Sequence, residues 1–430
     1  MRTAVGAFRS RVITETLRPS TVEEVQAAVR QAKGPLQPIS TGFNWGLGSH
    51  QPVRDGAVLL DLAGLNRLRE LDLDRGYAVI EPGVTQGDLA TALHGTSRMP
   101  NLTTASMHTS IMGNTLERGV GIHRARSEDL VGLEVVLADG SLRRIGWWPG
   151  HSAAVRSHRR GPSAMHLFTQ SGFAAVTAAV IRLLPRPERI EVVPLQCTPE
   201  EFPEAVDALR EWTAQRLVPP TTKITNPVGA PIFGVQDHHL AHICLTGTAE
   251  LVAAHRELLL KQDSPWRPAP DSAADDLVQR AYAGDPDPAD SWFLQRIGCP
   301  AGQVDAERGL LMFLPVIPFR GEAAQRAAEL IDFCRVGSTA PPLVTLNVLD
   351  SDTVNDVVIL GFPLDDPQAV ADAHATLDRL HSTFAAEGLM PYRLDIDHPE
   401  DNATDLIDVL GTALDPQGVF DPGRYISRPH

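Results

Sequence analysis

One short segment restricts the fold and function of this chain more than any other. Residues 39–49 read ISTGFNWGLGS, with three glycines and four small polar residues in one loop. Glycine allows positive φ and a close backbone approach to a ligand, and successive amides can form a nest for an anion. The pattern favours a diphosphate-binding loop, although it lacks the spacing of a P-loop or of a dinucleotide fingerprint. A glycine-rich turn without a ligand is an equally good interpretation of this segment alone.

The segments around the loop predict alternating helices and strands. Apolar spacing predicts a helix over 21–32, which Ser20 or Thr21 can cap, followed by a strand at 37–40. Further strands are predicted at 57–62, 77–84 and 176–184, and Asp139-Gly140 predicts a two-residue hairpin.

Charge and cysteine content exclude several classes of partner. The net charge of -15 over 430 residues disfavours binding to nucleic acid or to an anionic membrane, because both need a dense cationic face. Cys197, Cys244, Cys299 and Cys334 lie far apart without C-x-x-C pairing, so we expect reduced core residues. The chain shows no apolar stretch typical of a signal peptide or a membrane span, and we expect a cytoplasmic location.

The second half of the chain has a different order of predicted strands and helices. Pro185 and Pro187 predict a linker, because proline ends a strand or helix, and we place a domain boundary there. Beyond it, strands and helices alternate in a βαββα order that predicts an antiparallel sheet backed by helices. Residues 263–291, rich in Pro, Ala and Asp, predict a long loop. The fold class is therefore α+β.

Four segments in this order resemble the vanillyl-alcohol oxidase and p-cresol methylhydroxylase family of FAD-binding flavoproteins. They are residues 18–89, 110–121, 167–177 and 414–424. The resemblance implies a two-subdomain FAD-binding domain formed by 1–188, to which 389–430 returns. It also implies a cap domain over 189–388 that closes over the substrate.

The resemblance implies which residues hold FAD. The loop amides would bind the diphosphate, Val180 and Ile181 would hold the adenine, and Arg424 would reach the flavin ring. A cation near N1 and O2 stabilises the anionic reduced flavin, although outside the family Arg424 reads as a surface arginine after a turn. The implied cofactor-binding residues are Ser40, Thr41, Gly42, Phe43, Asn44, Trp45, Gly46, Gly48, Ser49, Pro82, Gly83, Val84, Ser106, Ser110, Gly113, Asn114, Val180, Ile181 and Arg424.

Many members of the family bond the flavin covalently, and this chain departs from both attachment patterns. Phe43 stands where the loop histidine would be, and Asn355-Asp356 stand where the cap residue would be. We predict FAD bound without a covalent link. His50 and His108 are the remaining attachment candidates.

Substrate chemistry points to Tyr392 and Arg393, which resemble a pair that binds a phenolate in phenol-oxidising relatives. A phenol hydroxyl and a guanidinium stabilise the substrate oxyanion and make it a better hydride donor. Alternatively, Tyr392 packs at the domain seam and Arg393 pairs with Asp395 or Asp397.

Two other positions depart from phenol-oxidising relatives. Leu47 replaces a tyrosine that shares the phenolate, and the aspartate near flavin N5 has no clean match. Glu128 or His123 could substitute as the acid-base group, with a solvated turn as an equally good interpretation. The catalytic candidates are Tyr392, Arg393 and Glu128.

The histidines at 238, 239 and 242 do not predict a metal site. On a strand, His238 and His242 share one face and His239 lies on the other, with no carboxylate at suitable spacing. The chain also lacks the H-x-G-D-G-N-x-H stretch of related D-2-hydroxy-acid dehydrogenases. We therefore predict no metal.

The predicted function is an FAD-linked oxidase or dehydrogenase. Hydride would pass to flavin N5 from a para-substituted phenol, or from an alcohol or amine of a biosynthetic pathway. Dioxygen or a redox protein would accept the electrons, and a homodimer is possible by resemblance. The alternatives are a non-redox cyclase or dehydratase, or a flavin-binding homologue that has lost activity.

Overall fold

A computed structural model describes residues 6–43, 46–157, 161–220, 222–272, 274–286, 308–400, 405–421 and 423–426. Its first sheet is parallel and has the order β1-β3-β2. The strands are β1 (Ile13–Leu17), β2 (Leu36–Ile39) and β3 (Ala57–Asp61). Helix α1 (Val22–Arg30) buries Val25 and Val29 against them, and Thr21 caps it by accepting from the Glu24 amide. The helix and strands predicted around the glycine-rich loop are confirmed.

The second sheet is antiparallel and has the order β4-β5-β9-β7-β8. Its strands are β4 (Leu68–Asp72), β5 (Tyr77–Ile80), β7 (Leu130–Val136), β8 (Leu142–Gly146) and β9 (Ala175–Arg182), while β6 (Arg98–Met99) pairs with β10 (Leu184–Pro185). Helices α2 (Gln86–Leu93) and α3 (Ile111–Leu116) bury their apolar side chains against this sheet. The Asp139-Gly140 hairpin between β7 and β8 is confirmed, with Gly140 at a φ of 75°.

The third sheet is antiparallel and has eight strands, in the order β14-β11-β13-β12-β17-β18-β15, with β16 also paired to β18. The strands are β11 (Arg189–Cys197), β12 (Lys223–Thr225), β13 (His239–Gly247), β14 (Arg267–Pro268), β15 (Arg308–Phe313), β16 (Val316–Pro318), β17 (Leu343–Val348) and β18 (Thr353–Pro363). This confirms the α+β class and the antiparallel sheet.

Helices back this third sheet, as the sequence predicts. One face packs against α4 (Phe202–Ala214), α5 (Ala249–Leu260), α7 (Gly321–Cys334) and α8 (Pro367–Ala386). Short 3-10 helices lie at Leu62–Gly64, Arg126–Asp129, Met165–Phe168 and Ala230–Phe233. None of the described helices combines the length and the apolar character that a bilayer span requires.

The long loop predicted over 263–291 is wrong in part, because it contains β14 and helix α6 (Ala274–Tyr282). The helix buries Val278, Ala281 and Tyr282 on the opposite face of the third sheet from α4. A cap forms at its start, where the Ser272 amide donates to the Asp275 carboxylate at 3.0 Å. Burial of this one apolar stripe outweighs the polar composition that favours a loop.

The C-terminal segment contacts the first sheet. Helix α9 (Asp405–Leu414) precedes Phe420, which is buried in the same core cluster as Val25 and forms a bridge with Leu36. The Asp421 amide donates to the Leu36 carbonyl at 2.9 Å. These contacts agree with the expected return of 389–430 to the first domain, while the boundaries at 188 and 389 stay a prediction.

The described cysteines Cys197, Cys244 and Cys334 are free and buried, as expected, and Cys299 lies outside the described residues. Burial raises the pKa of the Cys197 thiol to about 12. The Cys197 thiol is therefore protonated at neutral pH.

Candidate functional site

A cleft opens where segments from distant parts of the chain meet. It contains about 1280 Å³ of space that is continuous with solvent. Its walls come from residues 37–43, 109–117, 168–176 and 421–425, with Arg393 and Ile396 at one side. The glycine-rich loop and the C-terminal segment thus share one site.

The glycine-rich loop offers unpaired amides to this cleft. Thr41 and Gly42 line it, and their N–H groups donate no hydrogen bond within the described part of the chain. The Thr41 hydroxyl accepts from the Ser110 amide at 3.2 Å, and a Cβ on Gly113 would lie 2.5 Å from Ser40 Oγ. The start of α3 therefore packs directly on a loop whose free amides suit an anionic group.

The later glycines of the loop contact the rest of the protein. Gly46 has a φ of 74°, and its carbonyl accepts from the Met312 amide on β15 at 3.2 Å. Gly48 has a φ of 70°, and a Cβ there would lie 2.7 Å from Ile396. Neither glycine is among the residues that line the cleft, and Asn44 and Trp45 lie outside the described residues.

A buried ionic cluster forms one end of the cleft. Glu117 accepts from Arg424 at 2.6 Å and from the Tyr425 hydroxyl at 2.9 Å, and Arg393 Nε lies 3.9 Å away. Burial alone would raise the pKa of Glu117, but Arg424, Arg393 and Tyr425 together lower it below its usual value. Two guanidinium groups thus share one carboxylate, which leaves one net positive charge beside the cleft.

Arg424 is held in place by several partners. Besides Glu117, its Nη1 donates to the Ser49 hydroxyl and to the Leu394 carbonyl, the latter at 2.7 Å. Burial opposes its charge, yet Glu117 outweighs burial and raises the pKa of the guanidinium. Arg424 lines the cleft as a fixed cation, the chemistry predicted for the residue beside the flavin.

Tyr392 and Arg393 lie next to this cluster. The Tyr392 amide donates to the Leu314 carbonyl at 3.1 Å, and Gln170 Nε2 donates to the Tyr392 carbonyl at 2.8 Å. Burial raises the pKa of Tyr392, and the hydrogen bond and charge of Arg393 offset part of this rise. Arg393 lines the cleft and its buried Nε has no hydrogen-bond partner.

The alternative partners considered for Arg393 are occupied by other groups. Asp397 pairs with Arg11 at 2.5 Å, and Asp395 accepts from His381 at 3.0 Å. The structure instead pairs Arg393 with Tyr392 and Glu117.

The polar groups that line the cleft fit FAD. Asn114 Oδ1 is buried without a hydrogen-bond partner, as is Arg393 Nε, and the amides of Thr41 and Gly42 are also unpaired. Buried polar groups in native proteins normally have a partner, so several orphans in one cleft indicate a bound molecule. Amide donors suit a diphosphate, and amide and guanidinium groups suit the polar edge of the isoalloxazine ring.

The structure divides the remaining cofactor candidates. Pro82 and Ser110 line the cleft, and the Ser110 hydroxyl donates to the Pro82 carbonyl at 2.6 Å. Gly83, Val84 and Ser106 are not among the residues that line the cleft. Gly83 is tightly packed, because a Cβ at this position would lie 2.4 Å from the Ala63 carbonyl oxygen.

Val180 and Ile181, which were predicted to hold the adenine, lie inside β9, and their backbones pair with β5 on one side and β7 on the other. Neither residue lines the cleft, whereas Ala174 and Val176 at the start of the same segment do. Their role in holding the adenine stays a prediction.

The acid-base role of Glu128 likewise stays a prediction. Its side chain is exposed and accepts from the Ala125 amide at 3.2 Å, which closes a 3-10 turn away from the cleft. His123 is also outside the cleft, where its Nε2 contacts the Tyr282 carbonyl at 2.7 Å.

The positions expected for covalent attachment can be located. Phe43 lines the cleft with its ring 5.6 Å from that of His108, while His50 and His108 are not among the lining residues. On β18, Asp356 shares the helix-covered face with Val354 and Val358, and Asn355 points to the other face. Non-covalent binding stays a prediction.

Two residues of the cleft were not singled out from the sequence. Glu117 and Gln170 both lie inside motifs that carry the family resemblance, and both line the cleft. Gln170 has a φ of 51°, unusual for a residue with a side chain, and it links the cleft to Tyr392. In the sequence, each of the two is a polar residue among small and apolar neighbours, and this pattern was the signal available for predicting a role in the cleft.

A histidine cluster supports the loop behind Arg393. His381 and His398 both contact Asp395 at 3.0 Å, and His398 Nε2 also contacts Asp378 at 3.0 Å. The three side chains are close enough to hold a metal ion, but the two imidazole rings stack with a 4° angle. Because an imidazole binds metal in its own plane, two parallel planes do not converge on one ion. The cluster is a hydrogen-bonded network.

Comparisons with known proteins give the chain relatives along almost its whole length. Residues 14–146 match the family model described as an FAD binding domain. The chain is 28% identical to 1'-carboxy-chondrochloren decarboxylase of Chondromyces crocatus, covering 96% of this chain and 90% of that protein. It is 26% identical to the 4-cresol dehydrogenase [hydroxylating] flavoprotein subunit of Pseudomonas putida, covering 94% and 86%.

Among solved structures, the fold matches p-cresol methylhydroxylase with substrate bound. The TM-score is 0.85 at 23% sequence identity, covering 98% of this chain and 91% of that one. This match agrees in architecture with the parallel sheet, the antiparallel sheet and the helix-backed sheet described above.

Proposed function

We propose that this chain is an FAD-linked oxidoreductase of the p-cresol methylhydroxylase type and that it oxidises a para-substituted phenol. FAD, when bound, would supply the two-electron acceptor for a hydride from the alkyl carbon attached at the para position of the substrate's ring. An alcohol or amine of a biosynthetic pathway is the wider class of substrate that the same chemistry accommodates.

The pairing of Tyr392 with Arg393 beside the cleft is the observation that carries the proposal. Arg393 has an unpartnered Nε, and Tyr392 is a buried phenol that Arg393 holds by a hydrogen bond. A phenol substrate that loses its proton here would find a guanidinium donor and a hydroxyl donor for its oxygen. Charge-assisted hydrogen bonds favour the phenolate, and a phenolate more readily releases hydride from the alkyl carbon attached at its para position.

The ionic cluster keeps this end of the cleft cationic. Glu117 neutralises one of the two guanidinium groups, so one positive charge remains for an oxyanion or for an anionic cofactor. Arg424 is held by Glu117, Ser49 and Leu394, which leaves Arg393 as the more adaptable cation. Arg393 is therefore assigned to the substrate and Arg424 to the cofactor.

The cofactor would be held without a covalent bond, since Phe43 and Asn355 offer no nucleophile at the two expected attachment positions. Acid precipitation tests this prediction. Yellow colour should stay in the supernatant, and colour that pellets with the protein would contradict it.

The test of the function is anaerobic mixing of the holoenzyme with a panel of para-alkylphenols. We expect the visible absorbance of the oxidised flavin to be lost as the flavin is reduced. The rate of this loss should depend on the para substituent of the phenol. Matching meta-alkylphenols are the control, because their alkyl carbon is not conjugated to the phenolate oxygen. A flavin that stays oxidised with every phenol, alcohol and amine would support a non-redox role.

The electron acceptor is proposed to be dioxygen or a redox protein. Peroxide measured in air after substrate reduction separates the two, because only direct reaction with dioxygen yields it stoichiometrically. Slow reoxidation in air together with fast reoxidation by an artificial one-electron acceptor would favour a redox protein.

A second candidate function is suggested by the 28%-identical relative that is a decarboxylase. A substrate with a carboxyl group on the carbon next to the ring would lose CO2 instead of, or together with, hydride. Carbon dioxide release from para-(carboxyalkyl)phenols, compared with the corresponding para-alkylphenols, measures it. Flavin reduction by the alkylphenols without CO2 release from the acids would favour the first function.

A further inference from the structure

A second cavity lies inside the third sheet's helix-covered side, away from the cleft described above. It encloses about 660 Å³, continuous with solvent, between the sheet and helices α4 and α7. Its inner walls are apolar and buried. They include Phe202, Ile224, Ala324, Ile331 and Leu346.

One ionisable side chain in this cavity has no partner. Asp356 is only 3% exposed, and its carboxyl group makes no hydrogen bond or ion pair within the described part of the chain. Its backbone is fixed, because it pairs with Leu346 and its amide donates to the Pro315 carbonyl at 3.0 Å. The carboxyl group therefore stays on the side of the sheet that faces the cavity.

A buried carboxyl group without a partner is costly. Its lost hydrogen bonds destabilise a protein by roughly 1 to 3 kcal/mol. Burial raises the pKa of Asp356 to about 7, so the group carries a proton through much of the acidic range. Native proteins rarely keep such a group unless it serves a ligand or a reaction.

A second polar orphan lines the same cavity. His239 stacks on Phe202 with ring centroids 3.8 Å apart, and its buried Nδ1 has no hydrogen-bond partner. Burial lowers the pKa of His239 to about 4, so the ring is neutral at pH 7. Three strand spacings separate β18 from β13, so Asp356 and His239 lie roughly 15 Å apart, at opposite ends of the cavity.

The charges of the side chains that line this cavity favour a cationic ligand. Asp356 and Asp332 are acidic, His239 is neutral, and no lysine or arginine is among the described residues that line the cavity. Asp332 lies near the mouth and is already paired with Arg335 at 2.9 Å. A carboxylate or phosphate ligand would meet only like charge, whereas a cation would meet an unpaired acceptor at the end of an apolar chamber.

We propose that this cavity is a binding site for an apolar amine, with the ammonium group on Asp356 and the hydrocarbon body along Phe202, Ile224 and Leu346. The site is separate from the flavin cleft and goes beyond the proposed oxidation. An ammonium group supplies the donors that Asp356 lacks, and the hydrocarbon covers apolar surface at about 25 cal/mol per Å².

Titration calorimetry of the FAD-loaded protein with n-heptylamine at pH 8 tests the proposal. Wild type should bind one equivalent, and Asp356→Asn should bind at least about tenfold more weakly, because it removes the buried carboxylate among the described residues that line the cavity. Asp332→Asn is the matched control at the mouth and should change affinity less than about twofold, as expected for an exposed and paired group. Ala328→Trp, at the exposed end of the lining on α7, should also weaken binding by filling the entrance.

Two further readouts locate the bound amine. The absorbance spectrum of the flavin should not change as heptylamine binds, and sodium heptanoate should not bind in its place. Equal affinity of wild type and Asp356→Asn, heptanoate binding as tight as heptylamine, or no heat from wild type at millimolar amine would each overturn the proposal. Because the readout is binding, a failed oxidation assay leaves this test intact.

Discussion

At the residue scale, Glu117 sets the charge at the end of the flavin cleft. Its carboxylate lies among Arg424, Arg393 and the Tyr425 hydroxyl. Glu117→Gln would leave two buried guanidinium groups without an anion, and removing one partner of a buried pair costs about 3 kcal/mol. We expect a lower midpoint in thermal unfolding. Glu387→Gln, which breaks an exposed pair with Arg326, is the control and should change stability by under about 1 kcal/mol.

The same carboxylate predicts a pH dependence. Because its partners lower the folded pKa of Glu117 below the ordinary value of 4.5, its contribution is present above that value. It is lost as pH falls through the folded pKa, so the difference between wild type and Glu117→Gln should shrink as the pH falls from 4.5 through that lowered pKa. A constant difference down to the acid limit would show that Glu117 acts by packing and not by charge.

Arg393 is the residue whose replacement we expect to lower turnover most directly. Arg393→Ala should lower turnover of a para-alkylphenol roughly 100-fold or more, because a donor to the developing oxyanion is lost. The FAD content of Arg393→Ala should stay near that of wild type. Arg393→Lys should retain part of the wild-type rate, because lysine keeps the positive charge but lacks the forked donor geometry of the guanidinium group. Arg379→Ala, whose guanidinium lies over Phe333, is the control. Equal loss of FAD and turnover would make Arg393 structural.

At the element scale, helix α3 presses against the glycine-rich loop. A Cβ on Gly113 would lie 2.5 Å from Ser40 Oγ, so Gly113→Ala must push one of the two segments away. We expect the dissociation constant of FAD to rise about tenfold, since overpacking costs 1 to 3 kcal/mol. Gly361→Ala on β18 meets no atom within 4 Å and is the control. Unchanged flavin affinity in Gly113→Ala would show that the loop adapts.

Elements with local signals were predictable from the sequence, and long-range contacts were not. Helix α8 has strong local signals in the sequence, because Asp366 caps it and Pro367 starts it. Helix α6 was missed because its neighbourhood is rich in Pro, Ala and Asp, although Ser272 and Asp275 gave a capping signal. Glu117 could not be assigned, since its partners Arg393 and Arg424 lie far along the chain and only folding brings them together.

At the scale of the whole molecule, the flavin cleft joins the two ends of the chain. Its walls include residues from 37–43 and from 421–425, so bound FAD contacts both. Saturating FAD at about 1,000 times its dissociation constant should stabilise the fold by about 4 kcal/mol. Differential scanning calorimetry with and without added FAD measures this gain, with riboflavin, which lacks the diphosphate, as control. Identical midpoints would contradict a site built from both ends.

Besides the Asp395 carboxylate, which contacts His381 and His398, several main-chain hydrogen bonds hold the segment from Tyr392 to Ile396. Leu314 accepts from Tyr392, Gln170 donates to Tyr392, Arg424 donates to Leu394, and Leu47 accepts from Ile396. Replacing side chains here leaves most of those attachments in place, because they use carbonyl and amide groups. Natural variants can therefore exchange the residue that meets the substrate without releasing the coenzyme, which makes this short stretch a tolerant place for new specificities to arise.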